Sequence, residues 1–262
     1  MSSPPVVLTV AGTDSGGAAG IAADLATIGH LGAHGACVVT AVTAQDTLGV
    51  HAVHPVPLEV VAAQLDAVLE DLPVAAVKTG MLGSAEVVRL VAERVGGVGL
   101  PLVVDPVLVA TSGAVLGDSL VVAAYREHLL SVATVATPNT DEAAALAGCR
   151  GTPRALAGLL AARGQPVLLT GGDSGADLLV VPGCDPVLLR HDAVVTSNDH
   201  GTGCTHSAAL ATFLAHGAPL AEAAALAATY TAGQLHAGRR WRLGRGRGPV
   251  AHTVVPQEPG SG

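Results

Sequence analysis

Aromatic side chains are scarce in this chain of 262 residues, since Phe, Trp and Tyr together make up only 2% of it. Half of the residues are hydrophobic, so the predicted core consists of Ala, Val and Leu. The chain offers few rings on which bases can stack, and its net charge of −8 does not suit a phosphate backbone. We therefore expect no nucleic-acid partner.

Long apolar runs are also missing. No stretch reaches the roughly 20 apolar residues that span a bilayer, and the start, Met-Ser-Ser-Pro-Pro, lacks the charged and apolar parts of a signal peptide. These absences predict no membrane partner and a cytoplasmic location. The length suits one α/β domain or two small ones, and because no linker stands out we expect one domain over residues 1–262, with residues 1–5 and 253–262 as flexible ends.

Cysteine pairs with metal-binding spacing are absent. The four cysteines stand at positions 37, 149, 184 and 204 and form no Cys-x-x-Cys, which argues against structural zinc or a disulfide framework. The first three are predicted to be small buried hydrophobes. His51 and His54 have no third ligand at helical spacing, so we do not assign them a metal.

Lysine occurs once, as Lys78 in Val-Lys-Thr-Gly-Met. A P-loop needs a lysine within Gly-x4-Gly-Lys-[Ser/Thr] to reach phosphates, so that class of nucleotide site is excluded. Backbone amides, a metal ion or arginine would have to balance the charge of a nucleotide. Lys78 itself, at the end of a predicted strand, either pairs with a neighbouring acid or faces a ligand.

A glycine-rich stretch, residues 199–208, joins a β-rich run to a helical run. Its glycines permit a sharp turn, and the first amides of the following helix would point back into that turn. An anion there would meet the positive helix end and several N–H groups, and the helix start would lower the pKa of the Cys204 thiol. The predicted donors are Gly201, Thr202, Gly203 and Cys204. The alternative is a turn into a core helix with a buried cysteine.

Short β-branched runs alternate with amphipathic helical runs, which predicts parallel βαβ units with helices on both faces of one sheet. Polar turns at the strand ends would then line one crevice. Strands are expected at residues 6–10, 37–42, 75–78, 102–104, 132–136, 167–169, 178–181 and 187–196, the last two as an antiparallel pair. Helices are expected at residues 21–31, 58–69, 86–95, 119–130, 204–216 and 219–236. The turns lie near Gly12, Gly80, Asp105, Asn139, Gly171 and Gly201.

Several polar residues allow both a structural and a functional role. Asp105 precedes a proline at a strand end, where it starts a turn or faces a ligand. Asn139 and Glu142 form a near capping box, or hold water or Mg²⁺ beside a triphosphate. Asp24 braces the glycine-rich loop before it or lies exposed, and His206 is expected to be exposed.

Three other segments carry weaker signals. The glycines of residues 12–20 do not give Gly-x-Gly-x-x-Gly, which favours a polar loop for a small ligand over a dinucleotide site. Residues 45–57 are predicted to be a loop, and residues 108–117 a flap. Residues 239–247 hold five of the twelve arginines but almost no aromatics, which favours a solvated or self-docking tail.

Seven segments occur in an order that resembles the hydroxymethylpyrimidine/phosphomethylpyrimidine kinases of thiamine biosynthesis, in the ribokinase-like superfamily. The resemblance covers residues 6 to about 252 and implies an α/β three-layer sandwich, with a mostly parallel central sheet and helices on both faces. The segments are Ala-Gly-Thr-Asp-Ser-Gly-Gly-Ala-Ala-Gly-Ile, Ala-Asp24, Ala44-Gln45, Lys-Thr-Gly-Met81-Leu, Val-Asp105-Pro-Val, Thr-Pro-Asn139-x-x-Glu142 and His-Gly-Thr-Gly-Cys204-Thr.

The resemblance implies that ATP phosphorylates 4-amino-5-hydroxymethyl-2-methylpyrimidine, and that the same site converts the monophosphate to the diphosphate. It also implies Mg²⁺ and a homodimer. Gln45 would recognise the pyrimidine edge, with a pocket formed by Ala19, Asp24, Thr43 and Met81. A pyridoxal kinase of the same superfamily and a catalytically idle ligand-binding protein of this fold remain as alternatives.

The resemblance also assigns the phosphate side of the site. Asp105 and Glu142 would hold Mg²⁺ against the ATP phosphates, and the amides of residues 201–204 would stabilise charge on the transferred group. Cys204 would be the general base, where many relatives in the superfamily use aspartate. The nucleotide side comprises Asn139, Glu142, Thr170, Gly172 and Thr196. Relatives often carry lysine at the position of Thr170, so this chain has one cation fewer beside the nucleotide.

Overall fold

A computed structural model describes residues 3–109, 113, 116–171 and 174–253 of the chain. Ten strands are found in these ranges, of which eight form one sheet and two form a separate hairpin. The strands are β1 (Val6–Ala11), β2 (His34–Val39), β3 (Ala41–Asp46), β4 (Gly49–Pro55), β5 (Val74–Thr79), β6 (Leu102–Val104), β7 (Val135–Ala136), β8 (Val167–Leu169), β9 (Ala176–Val180) and β10 (Val187–Arg190).

The main sheet has the strand order β10-β9-β8-β7-β6-β5-β1-β2. Pairing is parallel from β2 through β8 and antiparallel between β8, β9 and β10 at one edge. The predicted mostly parallel sheet and the antiparallel pair after residue 178 are therefore confirmed. The last strand of the described residues ends at Arg190, not at residue 196, and residues 191–200, all of them described, form no strand ahead of Gly201.

Helices cover both faces of the sheet, as predicted. Along β1, Val6, Leu8 and Val10 pack into a cluster with the helices between residues 58 and 161. Val7 points to the opposite face, toward the helices of residues 20–30 and 202–238. This alternation is the normal period of a strand buried on both sides. The helices are α1 (Gly20–His30), α2 (Leu58–Asp71), α3 (Ala85–Val95), α4 (Ser119–Ala124), α5 (Thr140–Ala147), α6 (Pro153–Ala161), α7 (Thr202–Ala215) and α8 (Leu220–Gly238). Among the described residues, no helix combines the length and apolarity needed to cross a bilayer.

The structure corrects four local predictions. The predicted strand 37–42 is divided at Thr40, and the predicted loop 45–57 belongs largely to the β3–β4 hairpin. The predicted helix 119–130 is α-helical only to Ala124 and continues as a π-helical turn, Tyr125–Leu129. Cys149 and Cys184 are exposed and Cys37 is half-buried, so the three are not core residues. Most of the predicted flap 108–117 lies outside the described residues.

The arginine-rich tail docks onto the chain itself. Arg245 pairs with Asp46 and Arg247 pairs with Asp199. The Thr47 hydroxyl accepts from the amides of Arg245 and Gly246 at 3.0 Å each. The segment therefore ties the tip of the β3–β4 hairpin to the glycine-rich stretch before α7, which confirms the self-docking interpretation.

Candidate active site

A cavity of about 350 Å³ lies at the edge where the parallel strands end. Residues that follow β1, β5, β6, β7 and β8 line it together with the start of α7, which is where open α/β sheets bind ligands. The predicted site residues that line the cavity are Ala19, Thr43, Gln45, Met81, Asp105, Asn139, Glu142, Thr170, Thr196, Gly201, Thr202, Gly203 and Cys204. Asp24 is not among them, and Gly172 lies outside the described residues.

The start of α7 is shaped for a close approach. Gly201 caps the helix in the left-handed region at φ 91°, and a Cβ there would lie 1.8 Å from the Ala18 carbonyl oxygen. Only glycine fits both constraints. The Thr202 amide donates to the Asp199 carbonyl at 3.2 Å, so this donor is already used within the turn. The amides of Gly203 and Cys204 remain as first-turn donors that no preceding helical carbonyl reaches.

Cys204 and Asp105 lie on the same side of the sheet. The Gly20 amide donates to Cys204 Sγ at 3.4 Å, and Ser207, one turn along α7, donates to Asp105 Oδ2 at 2.9 Å. Both side chains line the cavity. The convergence of the strand-end turns with the helix start, which the alternating pattern predicted, is present.

The expected low pKa of the Cys204 thiol is wrong for the folded chain. Desolvation by the surrounding protein raises this pKa to about 12, and the carboxylates of Asp24 and Asp105 also raise it. The Lys78 cation and the Gly20 amide act in the opposite direction but are outweighed. The thiol is therefore protonated at pH 7, despite its place at a helix start.

Asp105 and Glu142 form an acidic pair on the cavity wall. Burial raises the pKa of both carboxyl groups, and the charge of Asp105 contributes to the value of about 8 at Glu142. Asn139 Oδ1 accepts from the Glu142 amide at 2.9 Å and Glu142 Oε2 accepts from the Asn139 amide at 3.0 Å. The capping box is thus real, and Glu142 still faces the cavity.

This acidic pair fits Mg²⁺. Both carboxyl groups are buried, and the charge of Asp105 raises the pKa of Glu142, so a divalent cation between them would favour their ionised forms. Mg²⁺ binds through one or two carboxylates while it keeps water and phosphate ligands. No group of three or more His, Cys, Asp or Glu side chains in the described ranges is arranged to hold a metal on its own.

Asp24 does not face the substrate pocket, contrary to the expectation from the resemblance. It is fully buried and accepts two hydrogen bonds from Lys78 Nζ, at 2.9 and 2.8 Å, and one from Thr9 Oγ1 at 2.6 Å. Burial works to lower the pKa of Lys78, but Asp24, Cys204 and Asp105 raise it more. Lys78 is therefore a cation beneath the cavity, and it pairs with an acid.

The substrate side of the cavity contains the other predicted residues. A Cβ on Gly12 would lie 2.3 Å from Met81 Cε, so glycine there lets the methionine approach the backbone. The Thr43 hydroxyl donates to the Thr13 carbonyl at 2.7 Å, which leaves its methyl group for the pocket wall. Gln45 lines the same wall, next to a register shift between β3 and β4.

Sequence reasoning missed Asp14 and His200. Asp14 accepts from the amides of Gly16, Ala18 and Ala19 at 2.8 to 3.1 Å and so shapes the glycine-rich loop. An aspartate two residues before a glycine is a local turn signal that could have identified it. His200 contacts Gln45, 155 positions away, and no local pattern reveals such a contact.

His206 is buried, with 5% exposure, so the expectation that it is exposed is wrong. Its Nε2 has no hydrogen-bond partner among the described residues and lies 4.0 Å from Asp177 Oδ2. Desolvation lowers the pKa of this imidazole, and the neighbouring His191 acts in the same direction, while Asp177 opposes them. His206 is therefore neutral in the folded chain at pH 7.

We expect His206→Leu to reduce the loss of stability in acid. Unfolded histidine binds a proton near pH 6.5, whereas folded His206 resists it, so stability is complete above about pH 6.5 and declines as the pH falls toward the lower folded pKa. Urea unfolding of both proteins at pH 7.5 and 5.5 measures this decline. Equal declines in wild type and variant would contradict the assignment.

Comparison with known proteins supports one family. The sequence model of the family described as phosphomethylpyrimidine kinase matches residues 14–251. A hydroxymethylpyrimidine/phosphomethylpyrimidine kinase of Rhizobium meliloti is 45% identical over 94% of this chain and 96% of the relative. The pyridoxal kinase of Staphylococcus aureus in complex with ADP has a TM-score of 0.87 and 33% identity, over 96% of this chain and 94% of that chain. The phosphomethylpyrimidine kinase of Clostridium difficile 630 has a TM-score of 0.76 and 34% identity, over 87% and 97%.

The sheet, the cavity at its carboxyl edge and these structural neighbours define a ribokinase-like kinase of small molecules. ATP is the phosphoryl donor that such a kinase uses. The chain belongs to the phosphomethylpyrimidine kinase family and is a phosphotransferase. The resemblance inferred from the seven ordered segments is confirmed.

Proposed function

We propose that this chain transfers the γ-phosphoryl group of ATP to the hydroxymethyl oxygen of 4-amino-5-hydroxymethyl-2-methylpyrimidine, and then phosphorylates the monophosphate to the diphosphate, in thiamine biosynthesis. The observation that carries the proposal is that the Gln45 amide and the first turn of α7 face one cavity. An amide can bond a ring nitrogen and an adjacent amino group together, as it does with adenine. A helix start suits the phosphate end.

In this proposal the substrate lies between the Gln45 wall and α7. Ala19, Thr43 and Met81 enclose the ring, and the amides of Gly203 and Cys204 stabilise negative charge on the transferred group, where such donors help most. With both substrates bound, the Cys204 thiol first loses its proton to solvent, and the thiolate then accepts the proton of the attacking hydroxyl. The oxygen–phosphorus bond forms as the bond to ADP breaks, and the proton remains on the sulfur until solvent removes it.

The acidic wall completes the nucleotide side. Asp105 and Glu142 would hold Mg²⁺, and Asn139, Thr170 and Thr196 would line the nucleotide. When bound, the cation would neutralise phosphate charge and the carboxylate of Asp105, which is one cause of the raised Cys204 pKa. Neutralising Asp105 would remove that contribution while the larger effect of burial stays, so Cys204 should be a more effective base with both substrates bound than without them.

We also propose a homodimer in the cytoplasm. The β3–β4 hairpin carries exposed apolar side chains, Val42 at 52% and Val53 at 44% exposure, and stands apart from the main sheet. A second copy that covers these side chains would remove them from water. Sedimentation of the purified chain tests this part of the proposal.

A thermal-shift series tests the substrate. The pyrimidine alcohol should raise the unfolding temperature, and ATP with Mg²⁺ should raise it further, because ligands that bind only the native state stabilise it. Pyridoxal is the second candidate, since the S. aureus neighbour is a pyridoxal kinase with a TM-score of 0.87. A shift with pyridoxal and none with the pyrimidine would overturn the proposal.

A further inference from the structure

The Nε2 atom of His200 contacts two groups that differ in the hydrogen bonds they can form. Its Nε2 lies 3.2 Å from Asp14 Oδ2 and 2.9 Å from the amide Nε2 of Gln45. A carboxylate only accepts hydrogen bonds, whereas a side-chain amide offers a donor on one side and an acceptor on the other. The amide can therefore adapt to His200 by a half-turn, but Asp14 cannot.

The position of His200 is fixed by the chain on both sides. Its amide donates to the Gly248 carbonyl at 3.0 Å, and its carbonyl accepts from the Val250 amide at 3.1 Å, so the segment just after the arginine-rich tail holds its backbone. The Gln45 backbone is fixed as well, because the Ser15 hydroxyl donates to its carbonyl at 2.7 Å and accepts from its amide at 2.8 Å. The backbones of both residues are therefore held in place, and the orientation of the Gln45 amide depends on the contacts of its side chain.

Asp14 controls which hydrogens His200 presents. Burial raises the pKa of the Asp14 carboxyl, but hydrogen bonds from His200 and from the amides of Gly16 and Ala19 outweigh it and hold that pKa below its usual value. Asp14 is therefore an ionised acceptor in the folded chain. Because Asp14 only accepts, it favours the form of His200 that carries a hydrogen on Nε2. The Gln45 amide then turns so that its acceptor oxygen faces that nitrogen.

We propose that His200 is a specificity-determining positioning residue, which holds the Gln45 amide in one orientation and so makes the cavity distinguish the order of donor and acceptor on the ring edge. The inference rests on the proposed function, in which Gln45 recognises the pyrimidine. A 4-amino ring presents an acceptor nitrogen beside a donor amino group. The 4-oxo ring presents a donor N–H beside an acceptor oxygen, and a freely turning amide would bind either.

The test compares kcat/KM for the 4-amino alcohol and for its 4-oxo analogue, 5-hydroxymethyl-2-methylpyrimidin-4-one. Wild type should prefer the amino compound, because a mismatched buried pair leaves polar groups unsatisfied. In His200→Leu this preference should fall by about tenfold or more, the equivalent of roughly 1.4 kcal/mol, through KM and not through kcat. An unchanged preference in the variant, or none in wild type, would overturn the inference.

A second variant covers the case in which leucine disturbs folding. His200→Gln keeps a polar side chain toward Asp14, but its own amide can turn, so the preference should fall here as well. Both variants are first compared with wild type by thermal unfolding. A folded His200→Gln protein that keeps the full preference would count against the inference.

Gln45→Leu separates this inference from the proposed function. In the Gln45→Leu background, His200→Leu should have no further effect on the preference, because a positioning residue acts only through its partner. If Gln45→Leu alone leaves the preference intact, the proposed recognition of the ring by Gln45 is refuted. If Gln45→Leu abolishes the preference while His200→Leu does not, only the proposed role of His200 is refuted.

Discussion

Cys204→Ser should remove most turnover and leave pyrimidine binding nearly intact. A general base typically contributes about 10²–10⁴-fold to rate, and a serine hydroxyl loses its proton far less readily than a thiol. The substitution changes one atom, and serine can still accept from the Gly20 amide that now meets the sulfur at 3.4 Å. The cavity wall therefore stays the same while the proton acceptor is lost.

The measurement is steady-state kcat and KM on the alcohol, beside a thermal shift with the alcohol alone. In wild type kcat should increase with pH through neutrality, because the Cys204 pKa is raised by the surrounding protein, and the serine variant should lack this increase. Cys204→Asp is the matched control, since it places a different proton acceptor at the same position. Wild-type turnover in the serine variant would refute the assignment of the base.

The sequence predicted those features that depend on local pattern. Alternating strand and helix runs predicted a parallel sheet, and the rule that ligands bind at the carboxyl ends of its strands brought Asp105, Asn139 and Glu142 to one edge. Two glycines before a helical run predicted the turn at Gly201. In each case the cause is a short-range property of the chain, which a single sequence contains.

Features that depend on packing between distant segments could not be predicted. The Cys204 pKa follows from burial among Lys78, Asp24 and Asp105, and a helix start alone suggested the opposite sign. His206 lies on α7, whose two sides both pack against the protein, so helical periodicity did not show that it is buried. The contact of His200 with Gln45 joins residues 155 positions apart and has no local signature.

The buried Lys78–Asp24 pair should be costly to break from one side. Both side chains are fully buried, so Lys78→Met leaves an uncompensated carboxylate, which typically costs about 3–5 kcal/mol. For a chain of this size that corresponds to a fall in Tm of roughly 6–20 °C. Calorimetry or a dye-based melt of the single variant measures it. A fall of less than about 2 °C would show that the folded chain does not need Lys78 to compensate the buried Asp24 carboxylate.

The double variant Lys78→Met with Asp24→Leu separates stability from catalysis. Removal of both charges should restore most of the lost Tm, because apolar replacements of a buried ion pair are often neutral or stabilising. Turnover should stay low, since the Lys78 cation is the main group that opposes the rise in the Cys204 pKa, and the pH at which kcat increases should move upward. A double variant with both wild-type Tm and the wild-type pH profile would show that Lys78 acts only in folding. A restored Tm with a shifted pH profile would show that the Lys78 charge lowers the pKa of the Cys204 thiol.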